Sequence, residues 1–260
     1  MNLKKTNVKF VRKIKMIEAQ PARWAKFIFH HYVMRLMRRH FSGFHLLSAL
    51  PQIEAQLPLL LLPNHSTWWD GFFIHFLNEI IFKRNAYLMM LESQLRKYRF
   101  FARVGAYGVN PEKPKSLLQS LDYTVQLFRN PANAPVLICI FPQGILLPWG
   151  KRPLAYRRGI EWILHKYERP VNMLPLAIRA EFLNEQRPEV FFRFGENSIV
   201  HSANYAGTDR LEATETELLA DLNQQIIAGE SGVNLLEGQA SVNRLVDRFK
   251  QRKLAPKVDQ

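Results

Sequence analysis

The chain has 260 residues, 47% of them hydrophobic, which is enough apolar material for a sizeable core in one domain or at most two. Its single cysteine, Cys139, excludes an internal disulfide and a cysteine-rich metal site, and the lack of any run of 18 apolar residues argues against a conventional spanning helix. The net charge of +14 is uneven: residues 1–40 carry eleven Lys or Arg against one acid, Glu18, so a basic arm precedes a nearly neutral body.

The arm reads "PARWAKFIFHHYVMRLMRRHFSGFH" from Pro21 to His45, with Trp24, Phe27, Ile28, Phe29, Tyr32, Met34, Leu36 and Met37 interleaved with Arg23, Lys26, Arg35, Arg38 and Arg39. On a helical wheel the apolar residues span a broad arc. Aromatic groups beside cations suit the headgroup boundary of an anionic bilayer, where Lys and Arg snorkel. That favours a basic amphipathic helical arm over residues 1–45 that meets a membrane surface. A solvated helix packed on the body by its aromatics is the alternative, and a nucleic-acid partner is not expected. The N-terminus lacks the apolar core of a secretory signal, so the expected location is peripheral, on the cytoplasmic face.

An α/β rhythm follows. "LPLLLLP" (57–63) is short, apolar and bounded by prolines, as a buried strand would be, and 68–82 reads as a helix with Ser66 or Thr67 available as N-cap. A strand at 86–91, a helix at 93–102, an extended segment at 105–110 and a helix at 115–130 come next. "PVLICIF" (135–141) reads as a core strand holding Cys139. A helix at 157–167, strands near 171–179 and 188–195, and helices near 210–228 and 238–252 complete the chain. This alternation predicts an α/β fold with a mixed, largely parallel sheet flanked by helices. The expected division is the arm, an α/β domain over 46–205 and a helical C-terminal extension over 206–260.

In such folds sites form beyond the carboxyl ends of strands. There the Leu-rich strand runs into "PNHSTWWDG" (63–71), with His65 and Asp70 five positions apart. The spacing alone is weak, since 8 His in a chain of this length make a chance match about 0.2 probable. Five residues of regular helix would also turn the two side chains about 140° apart. They meet only if His65 lies in the turn and Asp70 in the first turn of the helix. A carboxylate on Nδ1–H would then fix the tautomer and leave Nε2 to take a proton.

"NHSTWWD" resembles the Asn-His-x-Ser/Thr-x-x-Asp block of the glycerolipid acyltransferase superfamily, typified by lysophosphatidate acyltransferases. "FFARVGAYGVNPEKPKS" (100–116) stands where that family has its Gly-rich second block. "ICIFPQG" (138–144) with "PLAYRRGIEWI" (153–163) resembles the third block, and "VNMLPLAI" (171–178) the fourth. The resemblance, over about residues 57 to 180, implies transfer of an acyl group from acyl-CoA or acyl carrier protein to a lipid hydroxyl. The default acceptor is 1-acyl-glycerol-3-phosphate or another lysophospholipid.

In that reading His65 is the general base and Asp70 its orienter. Asn64, Thr67, Gln143, Gly144, Lys151, Arg152, Arg157 and Arg158 are the candidates for holding acceptor or thioester, with no metal and no cofactor beyond the donor. Gly144 would allow close approach to the reacting group and offer backbone N–H groups to the oxyanion. The chain departs from the family where an Arg usually ends the second block, since Asn110 and Pro111 stand there. It departs again where Glu-Gly-Thr-Arg is usual, with Gln143, Gly144, Ile145 and Leu146. Losing such charge-assisted contacts, at about 1.5–3 kcal/mol each, weakens phosphate binding unless the cations at 151–158 compensate. Otherwise the acceptor is a non-phosphate lipid such as a glycosylated one, the dyad serves a hydrolase, or the fold is a non-catalytic lipid binder.

Overall fold

A computed structural model describes residues 16–239. The first fifteen residues of the arm and all but two positions of the expected helix at 238–252 lie outside the described residues. The first described helix is α1 (Arg23–His40), which opens two residues after Pro21. Ala25, Phe29, Val33 and Met37 recur every fourth residue along it and are buried. Their stripe packs on α2 (Asp70–Leu77) and α4 (Phe100–Arg103), with Phe29 in ring contact with Phe72, His75 and Phe101.

Among the described residues the sheet has nine strands. Its spine is β4 (Ala106–Val109), β3 (Asn85–Leu91), β5 (Val136–Cys139), β2 (Leu59–Pro63) and β6 (Val171–Glu181), adjacent in that order and all parallel. Then β7 (Glu189–Phe194) runs antiparallel to β6, β1 (Gly43–Leu46) parallel to β7, and β9 (Val233–Glu237) antiparallel to β1. A short β8 (Ser198–Val200) pairs with the start of β6. The fold is therefore the expected α/β class, with a mixed, mostly parallel sheet between helical layers.

The side-chain alternation of β2 explains why it sits in the middle. Leu59 and Leu61 enter the core beneath α1 and α2, while Leu60 and Leu62 enter the core on the opposite face. All four are fully buried, each contributing about 1.5–3 kcal/mol by leaving water. The second face is covered by α5 (Pro114–Arg129), α6 (Gly159–Tyr167) and α7 (Thr208–Ile227), the last packing on Ala177 and Phe191 of β6 and β7.

Several expectations need correction. The helix expected at 68–82 begins at Asp70, with Trp69 rather than Ser66 or Thr67 as its N-cap, and widens into a π-helical segment over Asn78–Phe82. The helix expected at 93–102 is two, α3 (Glu92–Lys97) and α4, separated at Tyr98 where the backbone leaves helical angles. Residues 43–45, assigned to the arm, join residue 46 in β1, and residues 233–237, assigned to a helical extension, form β9. Both are short and take their partners from distant parts of the chain, which local periodicity does not report.

Candidate active site

His65 follows the carboxyl end of β2, and "FPQG" follows the carboxyl end of the neighbouring parallel strand β5. Side-by-side strand ends bring these two turns together, and they are tied at both backbone groups of His65. Its N–H donates to Gln143 Oε1 at 2.5 Å, and its carbonyl accepts from Leu147 N–H at 3.0 Å. The imidazole lies on the Phe141 ring, 4.1 Å between centroids and tilted by 23°.

Asp70 sits at the start of α2 and is 1% exposed. Its Oδ2 accepts from His65 Nδ1 at 2.8 Å and from the Ser66 and Thr67 amides at 2.8 and 2.9 Å, while Oδ1 accepts the Thr67 hydroxyl at 2.6 Å. Four donors converge on one carboxylate, three of them from the turn between His65 and the helix. The arrangement fixes Nδ1 as the protonated nitrogen facing Asp70 and leaves Nε2 without a hydrogen bond among the described residues. The His65 side chain keeps 23% of its surface exposed, so Nε2 chemistry is open to a substrate.

Asn64 locks the turn to β6. Its Oδ1 accepts from Ile178 N–H at 2.7 Å, and its Nδ2 donates to Ile178 O at 3.1 Å and Ser66 Oγ at 3.0 Å. The side chain thus continues the sheet ladder by one rung where the backbone turns away.

The ten site residues expected from the sequence fall into distinct groups. His65 and Asp70 meet as expected. Asn64, Thr67 and Gln143 are expected to bind acceptor or thioester, but the Asn64 side-chain amide, the Thr67 hydroxyl and Gln143 Oε1 hold the turn and its tie to β6, and Asn64 and Gln143 are buried. Gly144 adopts a left-handed φ of +69°, yet its N–H donates to Phe141 O, so that amide is occupied by the turn and is not free for an oxyanion. Arg152 turns inward, donating to the carbonyls of Trp149 and Lys151. Lys151 and Arg158 are exposed, and their side chains make no hydrogen bond or ion pair among the described residues.

Arg157 is the cation that reaches the turn. Its backbone N–H donates to Pro142 O, and its guanidinium arm passes over Gly144 closely enough that a Cβ there would lie 2.8 Å from Nε. An exposed guanidinium therefore stands over the turn that holds His65, although it comes from a different part of the chain than the family's usual arginine. Sequence reasoning missed Phe141 and two acids of α7. Glu212 accepts from the amides of Ala155 and Tyr156 at 3.0 and 2.9 Å, which fastens the loop before α6. A readable signal existed for the other, Glu215, since it interrupts the apolar stripe Leu211, Leu218, Leu222 at a helical interval.

A His–Asp turn at the carboxyl edge of a parallel sheet, with Nδ1 held by Asp70 and Nε2 open, is an arrangement able to take a proton from a bound group. The Acyltransferase family model matches residues 44–179, more than half of the chain and all of this site. The chain belongs to that family and is an acyltransferase. Among solved structures it is similar to the 1-acyl-sn-glycerophosphate acyltransferase PlsC from Thermotoga maritima. The two share 15% identity over 77% of this chain and 78% of that one, with a TM-score of 0.48. No curated protein matches it.

Proposed function

We propose that this acyltransferase moves a fatty acyl group from a thioester, on CoA or acyl carrier protein, to a lipid hydroxyl at the cytoplasmic face of a membrane. The observation that carries the mechanism is the 2.8 Å contact between His65 Nδ1 and Asp70, with Nε2 open. Nε2 removes the proton of the acceptor hydroxyl as its oxygen attacks the thioester carbonyl. The resulting imidazolium is stabilised by the Asp70 carboxylate. As the tetrahedral intermediate collapses, the carbon–sulfur bond breaks and the proton passes from Nε2 to the leaving thiolate. Phe141 fixes the ring plane, and the tie from Gln143 fixes the backbone, so little reorganisation accompanies proton transfer.

Arg157 supports an acceptor with an anionic headgroup, 1-acyl-glycerol-3-phosphate or another lysophospholipid. The exposed Ile145 and Leu146, standing where the family usually has Thr-Arg, favour a second reading in which the acceptor is uncharged, as in a glycosylated lipid. Thioester consumption with a panel of lipid acceptors, scored by mass spectrometry, separates the two. Acylated lysophosphatidate supports the first, product from a glycolipid alone supports the second, and consumption without acylated lipid sinks both.

The membrane partner follows from the free face of α1. Trp24 and Phe27 are 58% and 66% exposed, with Ile28 and Tyr32 beside them among the basic residues of the helix. Trp68, 62% exposed and three residues after His65, adds a further exposed aromatic group close to the site. Replacing Trp24 and Phe27 together by Ala should weaken binding to anionic vesicles at least about tenfold. Unchanged co-sedimentation would remove α1 from the membrane contact.

A further inference from the structure

One buried side chain that the catalytic turn leaves unexplained is Glu215, on the opposite face of the sheet from Asp70. It is 0% exposed, lies outside the span matched by the family model, and neither carboxylate oxygen has a partner at ordinary hydrogen-bond geometry. Such a group is costly unless something close by uses it. Its neighbours are the Asn64 backbone amide and the Arg152 guanidinium, both of which favour its charge, and Tyr156, whose buried hydroxyl is also without a partner. Within the sheet the Asn64 amide makes a long bond, 3.4 Å, to Leu176 O. One turn earlier, Glu212 clamps the amides of Ala155 and Tyr156, so α7 presents two acids to the 152–156 loop.

We propose that Glu215 is a positioning residue for the catalytic turn, its carboxylate drawing in the Asn64 amide from behind and tying Asn64–His65 to the Arg152–Tyr156 loop and α7. The proposal rests on His65 being the base. Asn64 is the hinge of the effect, because its side chain is already fixed to Ile178 and its backbone leads directly into His65. A carboxylate accepts from an amide more strongly than a neutral carboxyl does, so ionisation tightens the turn.

The groups facing Glu215 are Arg152 and Tyr156 from the loop, and Glu212 of the same helix also faces Tyr156. The charged groups that β6 and β7 turn towards α7 are engaged elsewhere, Arg179 with Glu181 and Asn223, and Arg193 with Asp221 and Gln225. Burial pushes the Glu215 carboxyl up to about 8, against the pull of Arg152 and the Asn64 amide, which puts the change within reach of experiment.

Amide hydrogen exchange of the turn from Leu62 to Thr67, corrected for intrinsic rates, tests this in the full chain from about pH 6 to about 9.5. In the unmodified protein protection should rise as pH passes about 8. Glu215→Leu should exchange about tenfold faster throughout, the scale of one lost hydrogen bond. Glu215→Gln keeps an acceptor oxygen and should restore the low-pH protection while abolishing the rise. Arg152→Gln should move the rise to higher pH, and it decides the matter if the Leu variant does not fold. Native protection in Glu215→Leu, or an unmoved rise in Arg152→Gln, overturns the proposal. Exchange needs no substrate, so failure of the acyl-transfer mechanism is scored separately, as unchanged thioester consumption by His65→Ala.

Discussion

Asp70 and Glu215 are both buried carboxyls beside the same turn, one reaching it from α2 and the other from α7 on the far face of the sheet. Asp70 accepts four hydrogen bonds of 2.6–2.9 Å; Glu215 has no partner at ordinary geometry, only the Asn64 amide close by. The first group is made almost entirely by residues within five positions of it, so the local sequence supplies its partners. The second depends on the Asn64 amide and a loop some sixty residues before it, and those contacts are loose. Equal burial thus has opposite consequences: a satisfied carboxylate rigidifies its surroundings, while an unsatisfied one lowers stability when charged and responds to pH.

The largest expected effects lie on the satisfied side. His65→Ala should abolish thioester consumption while leaving the thermal midpoint near that of the unmodified protein. Asp70→Asn should cost about three to four orders of magnitude in kcat, because the amide presents the wrong partner to Nδ1. A loss below about tenfold would make Asp70 a structural cap of the turn.

Next in size is the pH dependence of stability from Glu215. Its folded pKa is raised, so the native chain binds a proton the unfolded chain releases. The contribution is therefore fully present below about pH 4.5 and is lost as pH rises through about 8. A displacement of this size corresponds to a few kcal/mol. Glu215→Leu should therefore unfold at higher temperature than the unmodified protein near pH 9, while its kcat falls. Stability and turnover moving in the same direction would contradict the contrast between the two carboxyls. The smallest effect is at the acceptor. Arg157→Ala should raise KM for a phosphate-bearing lipid about tenfold with little change in kcat, since the guanidinium stands beside the turn rather than at Nε2. An unchanged KM favours the uncharged acceptor.

Much of the active turn is legible in the local sequence. His65 and Asp70 are close along the chain, and a histidine in a turn with an aspartate at the first helical position has few other ways to arrange itself. The parallel order of the spine also follows from strands alternating with helices. By contrast, Gln143 reads as a substrate contact from its own block. Only the adjacency of β2 and β5 reveals that its amide holds the His65 backbone 78 positions away. Arg157 is one of four cations crowded between positions 151 and 158, and the approach of its guanidinium to Gly144 singles it out.

The sequence by itself determined the fold class, the position of the candidate site at a strand end and the pairing of His65 with Asp70. Those properties rest on hydrophobic periodicity and on contacts within a few residues, where chain connectivity leaves little freedom. Tertiary structure alone decided that β1 and β9 join the sheet, that Arg152 turns inward and Arg157 outward, and that a carboxyl from α7 lies behind Asn64. Each of these depends on which strands become neighbours and on where the remaining polar atoms find partners, and a pairing between distant segments leaves no period in either segment to read.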